Sequence, residues 1–499
     1  MQTDTTRHEP IRTCVMLTVV LLAGCAVGPD FHQPAAPAVS VYTARALPAA
    51  TVHADVAGGT VQRFVQEANI PADWWTLFHS AQLNALVEGA LKHNPDLAAA
   101  QAALTVAHEN TLAQRGSYWP SVGADFSTNR QKQPGSLAPV PSNNAFEYSL
   151  FTSQVSVSYM PDVFGLNRRT VESLAAQEQG SRFQMIAADT ALTANVVVAA
   201  IQEASLRAQV DATRQLVDMQ TKSAGIVQYQ FDQGSASRLD LAAQQSQLAQ
   251  TQAALPPLRK QLVQQRHLLA VLAGEFPADA KAEDFDLASL RLPENLPLSL
   301  PSQLVAQRPD VRQAQANWHA ACAQVGVAIA NRLPQIELSA NAGSSALAIG
   351  DVFKSGNGFW SVGLDLAAPI FQGGELLHAE RAAKAQLAQA AAQYRSTVLA
   401  AFENVADVLV ALDEDARGLQ AATAAADAAR VALDLSQRQF QSGYASYLIL
   451  LNAEQAFVQA RINQIQAQAN RYADTAALYL ALGGGWWNNA QLSGNDHEK

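Results

Sequence analysis

The stretch Gln228 to Leu241, QYQFDQGSASRLDL, returns as Gln437 to Leu450, QRQFQSGYASYLIL. Gln228, Phe231, Gly234, Ser237, Leu239 and Leu241 each recur 209 residues on, and Gly274 returns as Gly483 in the same register. Upstream, a register of 214 residues carries Asn94-Pro95-Asp96-Leu97 onto Arg308-Pro309-Asp310-Val311 and Trp119-Pro120 onto Leu333-Pro334. Two fixed registers over most of each half make the chain a tandem duplication with a unit of about 210 residues. Glycine accepts positive φ at a helix C-terminus, and serine suits the N-cap of the next helix. The quoted stretch therefore reads as a turn between two helices, present once in each half.

The helices around that turn are long. No proline falls between Pro161 and Pro256, and none follows Pro369. Proline inside a helix costs about 3 kcal/mol, so both tracts are helix candidates. In the second, Leu387, Ala391, Tyr394, Val398, Phe402, Val405, Leu409, Leu412, Ala416 and Leu419 advance by threes and fours, one continuous helical stripe. A helix from Glu375 to Gln441 would be roughly 100 Å long. Composition agrees, with 96 Ala among 499 residues and only 15% charged residues, against roughly 25% in an average protein. Such rods pack against one another and do not make a compact enzyme core.

Between the helices, each half carries two stretches of period two. Val122, Ala124, Phe126 and Thr128 alternate with polar residues, as do Val155, Val157 and Tyr159 beyond a loop around Gln133 to Asn144. In the second half Ile336, Leu338, Ala340 and Ala342 alternate, then Trp360, Val362, Leu364 and Leu366. These predict two β-hairpins with strands near the roughly 9–11 residues that cross a membrane in a barrel. Four strands cannot close, because such barrels start at about eight. Two chains would give eight strands with a filled interior, and three would give twelve with room for a pore. Asp125, Glu337 and Asp365 fall on the polar set that would face the lumen. Keeping charge out of lipid accounts for their placement, and a bias towards cations is the alternative.

Arg7 and Arg12 precede an apolar run, Cys14 to Ala23, too short for a bilayer that needs roughly 20 residues. Leu22-Ala23-Gly24-Cys25 completes a lipobox, so residues 1–24 read as a lipoprotein signal and Cys25 as the lipidated first residue. Cys322 then stands alone, and no intrachain disulfide is possible. A net charge of −10 argues against nucleic acid. The ten histidines are scattered, with no His-Glu-x-x-His, Cys-x-x-Cys, Gly-x-Ser-x-Gly or Walker glycine loop, so no catalytic residue, metal or cofactor is expected. His319 and Cys322, at i and i+3, lack a third ligand and read as packing. Asp413-Glu414-Asp415 reads as a solvated helix patch.

Together, Cys25-Ala26-Val27-Gly28-Pro29-Asp30-Phe31, Asp73-Trp74-Trp75 with Phe78, Asn94-Pro95-Asp96-Leu97, Arg308-Pro309-Asp310-Val311 and Ala481 to Trp486 carry a family likeness. So do the turns Asp162-Val163-Phe164-Gly165 and Pro369 to Gly374. Over residues 25 to 487 the chain resembles the TolC-type outer-membrane factors, in particular the NodT-like lipoproteins of resistance-nodulation-division (RND) efflux. The resemblance implies a mainly helical homotrimer, four strands per chain completing a twelve-stranded outer-membrane barrel above a long periplasmic tunnel. It implies docking on a periplasmic adaptor and an inner-membrane RND transporter, and passive export of small molecules. Type I protein secretion is the alternative within the ducts, and a lipid-anchored coiled-coil scaffold without a pore the alternative outside them.

On this reading residues 25–72 form a lipidated extended segment. Each repeat opens on one helix ahead of its hairpin: residues 73–274 are the first repeat, with that helix, hairpin 121–160 and helix pair 165–273. Residues 275–301 are an equatorial linker, 302–487 the second repeat with hairpin 335–370 and helix pair 374–482, and 488–499 a tail. The resemblance puts Gly234, Ser237, Arg238 and Asp240, with Gly443, Tyr444, Ser446, Tyr447 and Asn452, at the periplasmic tip, where the tunnel closes and the adaptor docks. As helix caps alone, the glycines and serines need no further role. Where the family commonly has a tip aspartate this chain has Asn452, so closure there is expected to use hydrogen bonds and not an acidic ring.

Overall fold

The computed structural model describes residues 26–134, 146–279 and 285–493. The signal segment, Cys25, most of the first hairpin loop and part of the linker lie outside the described residues. In chain order the elements are β1 (Arg63–Gln66), α1 (Ala81–His93), α2 (Pro95–Arg115), β2 (Ser121–Gln133), β3 (Phe146–Tyr159), α3 (Leu166–Asp232) and α4 (Arg238–Leu272). They continue with β4 (Asn295–Leu298), α5 (Pro301–Gln307), α6 (Pro309–Ala330), β5 (Gln335–Ala346), β6 (Gly358–Ala367), α7 (Glu375–Gln441) and α8 (Tyr447–Ala481).

The duplication is visible in the element lengths. Helices α3 and α7 have 67 residues each, and α4 and α8 have 35 each. The stripe read along α7 is its buried face: Val405, Leu409, Leu412 and Leu419 are fully buried, and Tyr394, Val398 and Ala416 nearly so. Helix α4 runs through Pro256 and Pro257 without a break. The carbonyls they leave without an intrahelical donor belong to Gln252 and Ala253, both on the exposed side, where water replaces the lost bonds.

Two compact units share the chain. One holds residues 26–33, 104–180 and 314–394, the other 34–103, 181–313 and 395–493. In the second, each half makes the same joint where one helix had been expected ahead of the hairpin. Asn94 and Arg308 take extended backbone (ψ 123° in both), because the ring of the following proline disfavours helical geometry there. Asn94 Nδ2 donates to the Leu272 carbonyl at 3.0 Å, and Arg308 Nη1 to the Ala481 carbonyl at 3.0 Å. Each thereby satisfies the C-terminus of its own repeat's last helix. The repeated glycines belong to the same joint. A Cβ on Gly274 would lie 2.3 Å from the His93 carbonyl oxygen, and one on Gly483 2.7 Å from that of Gln307. The two sequence registers, 214 and 209, meet at these contacts.

The remaining core of this unit ties the chain ends to α8. Trp74 stacks on Tyr479 with centroids 5.1 Å apart, and the Tyr472 hydroxyl donates to the Leu290 carbonyl at 2.8 Å. Arg471, fully buried, donates to the Leu412 carbonyl at 2.9 Å and to Thr51 Oγ1 at 3.3 Å. Beside it, β1 and β4 pair in parallel, Arg63 opposite Asn295 through Gln66 opposite Leu298. These two strands add to the four expected, and at four residues each they are too short to show a period. The expected solvated patch is also corrected. Asp413 is buried and pairs with Arg417 at 2.9 Å, and Asp415 meets Asp474 of α8. Only Glu414 of the three is exposed.

Candidate functional site

In the first unit β2, β3, β5 and β6 form one antiparallel sheet in that order, with β2 and β6 as free edges. The register aligns Val122, Val157, Ala340 and Val362 in one row, and Ala124, Val155, Ala342 and Trp360 in another. The row between them is Gly123, Ser156, Asn341 and Ser361. A period of two puts the first and second rows on one face and the third on the other. The apolar face is bare: Val122 is 70% exposed, Trp360 78%, Val362 74% and Leu364 68%. Water penalises a continuous apolar face of this kind, and a hydrocarbon phase does not.

Asp125, Glu337 and Asp365 all stand on the opposite, polar face. Glu337 and Asp365 are direct cross-strand partners, and the Ser158 hydroxyl donates to Glu337 at 2.6 Å. Like charges face to face destabilise a strand pair, and contact with water keeps that repulsion small. The strands have 13, 14, 12 and 10 residues, so three exceed the expected span. Apolar alternation stops near Thr128, but pairing continues through the polar residues Arg130 to Lys132, where Arg130 meets Glu147 at 3.3 Å. Gln133, read as loop, closes β2.

At the C-terminal ends of α3 and α7 the quoted motif forms the same turn twice. Gly234 and Gly443 have φ of +75° and +76°. Ser235 N–H reaches back to the Gln230 carbonyl and Gly234 N–H to that of Phe231, each at 2.8 Å; Tyr444 and Gly443 repeat this with Gln439 and Phe440. This is the six-to-one and five-to-two pattern of a Schellman cap. The following caps differ. Ser237 Oγ accepts from Asp240 N–H at 3.1 Å, while the Asp240 carboxylate accepts from Ser237 N–H at 3.2 Å, a complete capping box. Ser446 holds the equivalent place without a side-chain bond: the Ile449 N–H goes to the Ser446 carbonyl at 3.1 Å, and Ile449, at position N3, has no carboxylate to complete a box. Arg238 and Asn452 are exposed. Tyr444 is 91% exposed, beside Leu448 at 61% and Ile449 at 50%.

Tyr447 turns inwards against Phe440, centroids 5.9 Å apart. Its hydroxyl is buried without a partner, next to Glu454, which is 2% exposed. Burial pushes the Glu454 carboxyl up to about 7, against which the Ser223 hydroxyl, donating from α3 at 3.3 Å, acts only weakly. Sequence reading passed over Glu454, although it sits on the stripe of Leu450 and Val458.

A second feature missed in the sequence holds the segment after Cys25. Val27 N–H donates to the Phe164 carbonyl at 3.1 Å. Arg169, at the start of α3 and 4% exposed, donates through Nε to the Val27 carbonyl at 3.1 Å and through Nη2 to Asp30 at 2.6 Å. Its Nη1 bonds Glu172 at 2.7 Å, and Glu172 accepts from His319 Nε2 at 2.9 Å. The His319 ring stacks on Phe31 with centroids 4.5 Å apart. Cys322 Sγ donates to the Pro29 carbonyl at 3.5 Å, and burial raises its thiol pKa. The His319 and Cys322 pair is therefore packing for this segment.

The model of the family described as outer membrane efflux protein matches residues 86–275 and 300–484. Among curated proteins, the chain is 29% identical over 483 residues to the antibiotic efflux pump outer membrane protein ArpC of Pseudomonas putida, covering 94% of this chain and 95% of that one. It is 29% identical over 421 residues to the pyoverdine export outer membrane protein OpmQ of Pseudomonas aeruginosa, covering 84% and 88%. The solved outer-membrane channel OprN superposes with a TM-score of 0.82 at 26% identity, covering 93% of this chain and all of that one. The bare sheet and the duplicated helical hairpins thus find their context: the chain belongs to the outer membrane efflux protein family, one of channels and not of enzymes.

Proposed function

We propose that three copies of this chain close a twelve-stranded barrel and pass small molecules from an inner-membrane RND pump, through a periplasmic adaptor, to the exterior. The observation that carries this reading is the sheet. It has two free edges, one bare apolar face and one polar face, and four strands are about half of what the smallest barrel needs. Joining β6 of one copy to β2 of the next leaves no edge. Asp125, Glu337 and Asp365 then line the lumen. The relatives' roles in antibiotic efflux and pyoverdine export support small molecules as cargo.

The two Schellman turns form the periplasmic tip in this reading. Gly234, Ser237, Arg238 and Asp240 present one half of it and Gly443, Tyr444, Ser446 and Tyr447 the other, with exposed Tyr444, Leu448 and Ile449 as the apolar contact for the adaptor. Asn452 contributes hydrogen bonds to closure. Cys25 carries the lipid, and the Arg169 cradle holds Val27 to Asp30, just after it in sequence, against the first residues of α3. Residues 275–301 with β1 form the equatorial collar between repeats 73–274 and 302–487. In-cell photo-crosslinking from Tyr444 tests the assembly. Capture of an adaptor together with an RND pump is the expected result. Capture of an ATP-driven exporter would move the function to type I secretion, and an abundant trimer that captures no adaptor would refute the tip assignment.

A further inference from the structure

Deep in the packing near the two turns lies a group of polar atoms without partners. Glu454 Oε2, the Tyr447 hydroxyl, both amide atoms of Gln220 and Oε1 of Gln244 are all buried and unbonded. They lie together: Ser223 of α3 donates to Glu454 Oε1 at 3.3 Å, Gln220 is one turn earlier on α3, and Gln244 Nε2 of α4 donates to the Gln220 carbonyl at 2.9 Å. An ionised carboxylate here would have one hydroxyl donor and no charged partner, a costly arrangement. A neutral carboxyl is tolerated, so the packing of α3 on α8 depends on a proton.

We propose that Glu454 is a proton-operated latch of the periplasmic tip, neutral while α3 and α8 stay packed and ionised once they part, its proton passing to water. This rests on the tip assignment proposed above. On Glu454 only burial and the Ser223 hydroxyl act, the first raising and the second lowering its pKa; no charged group of α3 or α8 contributes. The Tyr447 phenol feels Glu454, and burial and Glu454 both push it upwards. A carboxyl held at about 7 when packed and at its ordinary 4.5 when wetted makes the parted state up to about 300-fold more populated above pH 7 than below pH 4. The sign follows from linkage: the packed form binds the proton more tightly, so its advantage is whole in acid and is lost as pH rises through 7.

The test reads α3 directly. Val227, one turn beyond Ser223 and 1% exposed, is replaced by cysteine in a Cys322→Ala background, and its labelling rate is measured on the full-length trimer in lipid. Dividing the rate by that of the same protein carrying Glu454→Gln cancels the thiol's own titration. The ratio is expected to rise from about 1 at pH 4 towards about 100 or more at pH 8. Ser223→Ala, which removes the one bond favouring the ionised form, is expected to move the midpoint of the rise to higher pH. A ratio flat with pH, or a midpoint indifferent to Ser223→Ala, overturns the latch. Planar-bilayer conductance separates the two proposals. Conductance with a flat ratio refutes the latch alone, and a rising ratio without conductance refutes the channel while leaving proton-dependent packing of α3 on α8 as the property of Glu454.

Discussion

Replacing Arg169 by glutamine should release residues 27–31 from the start of α3 without unfolding the protein. The magnitude follows from which bonds cross between that segment and α3. The Glu172 bond joins two residues of α3 and drops out of the count. The Asp30 bond crosses, but the Asp30 side chain is 77% exposed, so solvent screens most of its value. What remains is the bond from a buried guanidinium to the Val27 carbonyl at 3.1 Å, with Gly28 as a long second acceptor at 3.5 Å. A hydrogen bond from a charged group is worth about 1.5–3 kcal/mol, and glutamine is too short to restore it. Docking should weaken by about 2–3 kcal/mol, raising the undocked population about 30- to 150-fold.

Cys322 is a built-in reporter of that population. It is the free cysteine among the described residues, buried, and its sulfur is covered by Pro29. Labelling of Cys322 by a small maleimide in the native protein in lipid should accelerate about 30- to 150-fold in Arg169→Gln, with the unfolding midpoint little changed. Asp30→Asn should accelerate it far less. Equal effects of the two variants would show that the exposed ion pair, not the buried bond, holds the segment. An unchanged rate in Arg169→Gln would refute the cradle altogether.

Three further outcomes follow. Gly443→Ala meets open space and only positive φ, so it should cost about 1–2 kcal/mol; Gly483→Ala, whose methyl would strike the Gln307 carbonyl, should cost more, and equal melting shifts would contradict the joint described here. Leu364→Lys on the apolar face should lower membrane insertion by about 2–4 kcal/mol per copy, whereas Ser361→Lys on the polar face should leave trimer yield nearly unchanged; similar losses would refute the face assignment. Burial, then the neighbouring Asp415 carboxyl, hold the Asp474 carboxyl well above its ordinary 3.8. Asp474 is therefore neutral in the fold and ionises on unfolding, so its contribution is whole below pH 3.8 and is lost as pH rises through the folded value. Asp474→Asn should flatten that part of the stability profile in chemical denaturation between pH 4 and 8, and a parallel profile would sink the assignment.

Local order was legible because it is periodic. The α7 stripe from Tyr394 to Leu419 and the alternation of Val122 to Thr128 report which side of an element is apolar, and the structure places those sides as read. Periodicity does not say which distant segment covers a face. Strands β1 and β4 pair across more than 230 residues with four residues each, and Arg169 reaches Asp30 across 139. Nothing local marks either pairing. A charge on an apolar stripe is, however, a local signal. Glu454 lies between Leu450 and Val458 at intervals of four, and Arg471 occupies the buried face of Gln468, Tyr472 and Thr475. A stripe read for its apolar residues alone skips these positions. Read for its exceptions, the α8 stripe marks where the helix trades hydrophobic contact for polar bonds: Arg471 reaches the Leu412 and Thr60 carbonyls and Thr51 Oγ1, with Nε left unbonded, while Glu454 has one weak partner. That difference in bonding sets Arg471 apart as a tie between α8 and its neighbours and Glu454 as the seat of the proposed latch.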